Sequence, residues 1–265
     1  MKNSSSPQLV QKQISAQGVV TLTLNDPETR NAMSDQMAEA FHAQITSIKS
    51  LPSARLLVLR GAGRAFSGGG HLEMLQQKIQ LSADENRRLM LDFYHAFLSL
   101  LELEIPVIAA LNGHAIGAAL GVALACDIRI ATASAKFGVN FVKLGLHPGM
   151  ATTYFLQRVV GLPRATELLM SGRIISADEA YSIGLISSVH ADTEFEAALE
   201  RLTTDLLESS PLALGQLKLS LRLASRSTLQ EALAREADCQ AISYASADFL
   251  EGVSAAREKR KPKFT

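Results

Sequence analysis

The sequence predicts an α/β fold of stacked βαβ-type units followed by a helical tail. Short β-branched or apolar runs alternate with helical periodicity as far as about residue 190, and residues 194–259 are helical almost throughout. Residues 9–14 and 19–24 alternate β-branched and polar side chains and read as strands. Asn25-Asp26-Pro27-Glu28 is a turn, and Ser34 is placed to cap a helix running to about Ile48. Leu56-Leu57-Val58-Leu59 is an unbroken apolar run, as expected of a strand buried on both faces; residues 107–111 and 128–131 are alike. Helical periodicity fills residues 86–103, 152–160, 164–170 and 177–182. In the tail, Pro211 starts a helix where proline is tolerated. The division expected is a core over residues 1–200 and a helical region over 201–265. That tail is too amphipathic to stand alone in water, so it must pack on the core or on a second copy.

Composition excludes several functions. With 47% apolar residues the chain can bury a substantial core, and 26 basic residues against 26 acidic ones leave no net charge. Nothing therefore favours nucleic acid or an anionic membrane, the one basic cluster being residues 257–263. No apolar window approaches the ~18 residues of a membrane span. Cys126 and Cys239 make no paired motif, and the N-terminus lacks an apolar leader segment, so a cytoplasmic location is expected. The six histidines never fall in ligand-like pairs, so no metal is expected.

Two glycine-rich stretches carry the chemistry. The first, Arg60-Gly61-Ala62-Gly63-Arg64-Ala65-Phe66-Ser67-Gly68-Gly69-Gly70-His71-Leu72, leaves a buried strand. It fails as a dinucleotide fingerprint because Phe66 holds the third glycine's place, and as a P-loop because no Gly-Lys-Ser/Thr follows. Three successive glycines admit a ligand close to bare backbone N–H groups; a plain surface turn reads as well from this stretch alone. The second stretch, residues 105–121, runs from a strand through Asn112-Gly113-His114-Ala115-Ile116 into a helix expected over residues 117–125. A helix start offers unpaired N–H donors and positive partial charge. Small residues at 117, 118, 119 and 121 let something bulky press against it.

Together these stretches resemble the crotonase (enoyl-CoA hydratase/isomerase) superfamily. The resemblance extends through Leu24-Asn25-Asp26-Pro27, Arg30-Asn31-Ala32-Met33, Lys136-Phe137-Gly138, Leu144-Gly145-Leu146, residues 176–186 and the closing residues 251–264, nearly the whole chain. It implies a crotonase-like spiral of ββα units with a C-terminal helical trimerisation region, and trimers, often stacked as hexamers. It further implies that the N–H groups of Gly70 and Ala118 polarise the thioester carbonyl of an acyl-CoA, with coenzyme A as part of the substrate and no separate cofactor. Ala65, Phe66, Ser67, Gly68, His71 and Leu72 would line the nucleotide and pantetheine path. Arg30 would stand at the mouth of that path, and Lys259 would meet a phosphate; each also suits a solvated surface charge.

The carboxylates that the resemblance leads one to expect are missing. Hydratases would carry glutamates where this chain has Gly121 and Phe141. Isomerases and dehalogenases would carry an aspartate at Gly149. Such groups supply roughly 10²–10⁴-fold each, so ordinary hydration is not expected. His147, two residues before Gly149, is the candidate base, imidazole being able to take a proton near neutral pH; hydrogen bonding to a neighbouring carbonyl is its other reading. Tyr94 and His95, neighbours that cannot share a helix face, are expected to pack, as is His114 under its turn. Glu73 reads as a surface carboxylate. Phe141 predicts a hydrophobic or aromatic acyl group. The expected function is lyase or isomerase chemistry on an acyl-CoA through an enolate, the alternatives being acyl-CoA binding without chemistry and CoA-thioester hydrolysis or decarboxylation.

Overall fold

The computed structural model describes residues 8–264. Strands β1 (Val10–Ile14) and β2 (Val19–Leu24) form an antiparallel hairpin, followed by a 3-10 turn (Pro27–Thr29) and helix α1 (Asp35–Lys49). The Ser34 hydroxyl accepts the Met37 N–H at 3.1 Å and caps α1, as its sequence position predicts. Then come β3 (Leu56–Gly61), β4 (Ala65–Ser67), α2 (Leu72–Gln77) and α3 (Ala83–Leu98). β5 (Val107–Leu111), β6 (His114–Ile116) and α4 (Ala118–Ala125) make the next unit, and β7 (Ile128–Thr132), β8 (Lys136–Gly138) and α5 (Thr152–Val160) the one after. α6 (Leu162–Ser171), β9 (Ile174–Ser176), α7 (Ala177–Ser182) and β10 (Ser188–His190) complete the core.

From β3 onward each unit contributes one strand to each of two sheets, whereas β1 and β2 both join the larger one. The larger sheet runs β1-β2-β3-β5-β7-β10, parallel from β2 onward, and the smaller runs β4-β6-β8-β9. Because β3, β5 and β7 stack in one sheet while β4, β6 and β8 stack in the other, the chain advances as a spiral of ββα turns. The apolar run of β3 serves both faces: Leu57 and Leu59 belong to the main core, while Leu56 and Val58 meet Ile108, Ala110, Ile130, Phe195 and Leu199 on the opposite side. The smaller sheet was not foreseen, since three-residue strands carry no readable period.

The tail is four helices: α8 (Phe195–Leu207), α9 (Pro211–Ala224), α10 (Leu229–Tyr244) and α11 (Ala247–Glu258). α8 crosses the expected boundary at residue 200 and lays Phe195 and Leu199 on the sheet, where Glu196 pairs with Arg60 of β3 at 2.6 Å. α9 is anchored by Lys218, whose buried ammonium donates to the Ile105 carbonyl at 2.5 Å and pairs with Asp127 at 2.7 Å. Arg222 of α9 also reaches Asp127, at 3.3 Å, and Asp127 accepts the Val107 N–H at 2.8 Å. α10 buries no residue within the chain, and Leu217, Leu219, Leu221, Leu229, Ile242 and Leu250 stay exposed. Cys126 is buried, which pushes its thiol up to about 12, so it is not a thiolate nucleophile. No helix among the described residues is long and apolar enough to cross a membrane.

Candidate active site

The two glycine-rich stretches meet. The first is held from behind by residues 30–33, which run beside it like a short strand. Gly68 N–H donates to the Arg30 carbonyl at 2.8 Å, the Ser67 hydroxyl to the Asn31 carbonyl at 2.7 Å, and Met33 N–H to the Gly69 carbonyl at 2.7 Å. His71 N–H in turn donates to the Met33 carbonyl at 3.0 Å. A peptide unit is planar, with its C=O and N–H on opposite edges. Since the Gly69 carbonyl faces Met33, the Gly70 N–H in the same unit faces away from it.

The same logic orients the second donor. The Gly117 carbonyl points down α4, accepting from Leu120 N–H at 3.2 Å and Gly121 N–H at 3.4 Å. The Ala118 N–H of that peptide therefore points out of the helix start, where the backbone partial charge is positive. Ala118 is itself buried, at 6% exposure, and α4 has no acidic residue in its first turn. Gly69 sits directly against this turn: a Cβ there would lie 2.6 Å from the Ile116 carbonyl oxygen and 3.8 Å from the Ala118 nitrogen. Its φ of +92°, and the pairing of φ +59° with ψ −124° at Gly117, lie outside the left-handed helical region that side-chain-bearing residues can enter, so glycine is required at both bends.

Asn31 is the residue the sequence reading passed over. Fully buried and left-handed at φ +55°, it accepts the Asp26 N–H at 2.9 Å. Its amide donates to the carbonyls of Ala62 (2.8 Å), Ala65 (2.9 Å) and Phe66 (3.3 Å). One side chain thus fixes the whole approach to Gly70. Asn31→Ala is expected to lose about 2–4 kcal/mol of stability, from unpaired buried carbonyls and an alanine forced to positive φ. Urea unfolding checks this, and a change below about 0.5 kcal/mol would remove Asn31 from this role.

The other candidate residues divide into three groups. Ala65, Phe66 and Ser67 form β4 and are buried, so their side chains belong to the core and only main chain is left to offer a ligand. Arg30 is exposed, with its Cβ 3.7 Å from where a Gly68 Cβ would be; His71 precedes α2, and Leu72 is 67% exposed at its start. Phe141 leans over the second bend, its ring 3.8 Å from where a Gly117 Cβ would stand.

Gly121 and Gly149 are closed by protein. A Cβ at Gly121 would lie 2.6 Å from the Met150 carbonyl oxygen and 2.8 Å from Met150 Cβ, so the bulk pressing on this part of α4 is Met150 rather than a ligand. A Cβ at Gly149 would strike the Tyr94 hydroxyl, with Cζ at 3.1 Å. Tyr94 therefore packs as expected, but with its polar tip at the place where an isomerase aspartate would begin. His95 and His114 are exposed instead of packed; His114 Nδ1 accepts the Lys136 N–H at 3.2 Å. Glu73 is exposed.

His147 is exposed, with Nδ1 2.8 Å from the Pro148 carbonyl oxygen. That oxygen can only accept, so Nδ1 carries a proton and the neutral ring keeps its lone pair on Nε2. Lys259 ends α11 in a left-handed conformation, and the two residues after it are tied within the tail: Arg260 pairs with Glu251 at 2.6 Å, and Lys261 with Glu208. The Glu251 carboxyl is pulled down to about 2 by the Arg260 hydrogen bonds and the Lys263 N–H, which keeps this clasp closed at ordinary pH. Among the described residues no three His, Cys, Asp or Glu side chains converge as a metal site would require.

Comparison with known proteins shows the family. Residues 15–265 match the family described as enoyl-CoA hydratase/isomerase. The 1,2-epoxyphenylacetyl-CoA isomerase of Escherichia coli (strain K12) is 37% identical over 94% of this chain and 95% of its own length. The crotonyl-CoA hydratase of Syntrophomonas wolfei is 33% identical over 93% and 94%, and the 2,3-dehydroadipyl-CoA hydratase of Escherichia coli (strain K12) 34% identical over 94% and 95%. The crystal structure of enoyl-CoA hydratase from Bacillus anthracis superposes with a TM-score of 0.90 at 30% identity, covering 97% of this chain and 99% of the other. With two backbone donors at the bends of a ββα spiral and relatives of this kind along its whole length, the chain belongs to the enoyl-CoA hydratase/isomerase family, within the crotonase superfamily.

Proposed function

We propose that the protein binds an acyl-CoA thioester with its carbonyl oxygen between the Gly70 and Ala118 N–H groups, and stabilises the enolate or oxyanion that forms there. The observation that carries this reading is the direction of the two donors: each is turned out of its own hydrogen-bonded segment, and the bends bearing them abut through Gly69. Donors already fixed where charge will develop need no reorganisation during reaction, and each is worth about 3–4 kcal/mol in comparable sites. The relatives' names, each specifying a CoA thioester, support the substrate class. Arg30 and the main chain of residues 65–72 hold the CoA end, and Phe141 borders the acyl group.

Ordinary hydration is not the reaction, because Gly121 and Phe141 offer no carboxylate and the space beside Gly121 is filled. His147 is the base, through Nε2, in lyase or isomerase chemistry. The exposed leucines of α9 to α11 support association as a trimer or hexamer, in which Lys259 serves a neighbour's CoA.

The test is turnover across a panel of enoyl-, 3-hydroxyacyl-, malonyl-type and aryl-CoA thioesters, with light scattering of the same preparation. Conversion of one ester without loss of CoA, reduced about 10²-fold or more by His147→Ala, and a trimer or hexamer in solution are expected. Release of free CoA thiol or CO₂ would move the function to hydrolysis or decarboxylation. Tight binding with no conversion, which the filling of the Gly121 and Gly149 places favours, would make it a binding protein. A monomer would remove the shared-pocket role of Lys259.

A further inference from the structure

Among the described residues, four of the five non-glycine residues with positive φ fall in two adjacent pairs, and each pair backs one donor bend. Arg30 and Asn31, at φ +60° and +55°, offer their carbonyls to the Gly68 N–H and the Ser67 hydroxyl of the first bend. Met150 and Ala151, at φ +53° and +51°, lead into α5 and lie against α4 at Gly121. A left-handed backbone is unfavourable for a residue with a Cβ, and such strain persists only where the surroundings hold it.

The second pair reaches the Ala118 donor in two steps. Met150 is fully buried, with its carbonyl oxygen 2.6 Å and its Cβ 2.8 Å from where a Gly121 Cβ would stand. The Gly121 N–H, with that of Leu120, donates to the Gly117 carbonyl. That carbonyl belongs to the peptide unit whose N–H is the Ala118 donor, so a shift of Met150 is passed to the donor's direction. Met150 is itself held on both sides. The Gly149 carbonyl accepts the N–H and hydroxyl of buried Thr152 at 3.1 and 2.9 Å, and the Ala151 carbonyl accepts the Tyr154 and Phe155 N–H groups at 3.0 and 2.9 Å. A residue with a Cβ has only a small left-handed basin, whereas glycine ranges widely over positive φ. Alanine at 151 therefore makes a narrower well than glycine would, at a cost in stability.

We propose that Met150 and Ala151 are positioning residues for the thioester site. Their strained conformation holds Gly121 and, through it, the Gly117–Ala118 peptide, so that the Ala118 N–H keeps its aim on the thioester oxygen. This rests on the acyl-CoA reading above and goes beyond it, since neither residue need touch the ligand.

The test records the carbonyl stretching frequency of hexanoyl-CoA labelled with ¹³C at its carbonyl, free and bound, with a thermal melt of each protein. Wild type, Ala151→Gly and Ala151→Ser are compared. The wild-type band is expected to move to lower frequency on binding. Ala151→Gly relieves the strain and widens the well. It should melt at the wild-type temperature or a few degrees above it, yet keep less than about half of the frequency shift. Ala151→Ser, which retains a Cβ, should keep most of the shift. Where an ester is converted, Ala151→Gly should lower kcat about tenfold with KM within about twofold. An Ala151→Gly protein that keeps more than about half of the shift, or one that loses shift and stability together, would overturn the proposal. So would an Ala151→Ser protein that behaves like Ala151→Gly. Absence of any shift in the wild type would instead overturn the two-donor reading on which it rests.

Discussion

Replacing Ala118 by proline is expected to lower kcat/KM for the protein's thioester substrate about 10²–10³-fold, with little change in stability. Ala118 is the first residue of α4, where proline's fixed φ suits the helix and the missing N–H breaks no internal hydrogen bond. The preceding Gly117 has no Cβ to clash with the new ring. What the substitution removes is the donor, and its ring fills the space the thioester oxygen would occupy. A thermal melt within a few degrees of wild type, with CoA itself still bound, would locate the loss at the carbonyl site. Retention of more than about a third of the activity would mean that the Ala118 N–H is not a donor in the reaction.

Gly121→Glu, which restores the glutamate that hydratases would carry on this helix, is expected to destabilise the protein by about 4 kcal/mol or more and to give no hydratase activity. The new Cβ would stand 2.6–2.9 Å from three Met150 atoms, one of them a backbone oxygen that cannot swing aside. Met150 is fully buried at φ +53° and followed by Ala151 at φ +51°, so the segment has little freedom to retreat, and a carboxylate would be forced into an apolar setting. Urea unfolding measures the effect. A variant as stable as wild type, or one that hydrates enoyl-CoA, would show that the space beside Gly121 is open. The lost carboxylate is therefore a change shared by two segments, and restoring one residue does not reverse it.

Long, periodic elements were legible in the sequence because periodicity reports burial. β3, β5 and β7 were readable as strands covered on both faces, and α1 from Ser34 and its apolar spacing. The helix starting at Ala83 was expected only from residue 86, although Ser82 and Glu85 spell out the reciprocal capping pair the structure contains. In the helical tail the start at Pro211 was read, but not the caps: Ser210, Thr228 and Ser246 each cap a new helix with the side-chain hydroxyl. Those signals were present and unread. The smaller sheet was not legible, because three-residue strands pair through contacts distant in sequence.

At the site, the two donor bends were readable from glycine and alanine content, since a close approach to backbone requires small residues there. The role of Asn31 was not: one amide bonding three carbonyls more than thirty residues away leaves no local pattern. Nor could sequence reveal that the places beside Gly121 and Gly149 are filled, the first by Met150 and the second by the Tyr94 phenol. An absent side chain says nothing about what occupies its volume.

The most direct measurement is the infrared stretching frequency of a ¹³C-labelled thioester carbonyl in an unreactive acyl-CoA, free and bound, by isotope-edited difference spectroscopy. Two fixed N–H donors on one oxygen weaken its double bond, so the bound carbonyl should absorb at lower frequency than in water, and Ala118→Pro should cancel most of that shift. A bound ligand whose carbonyl absorbs at or above its frequency in water would contradict the two-donor site.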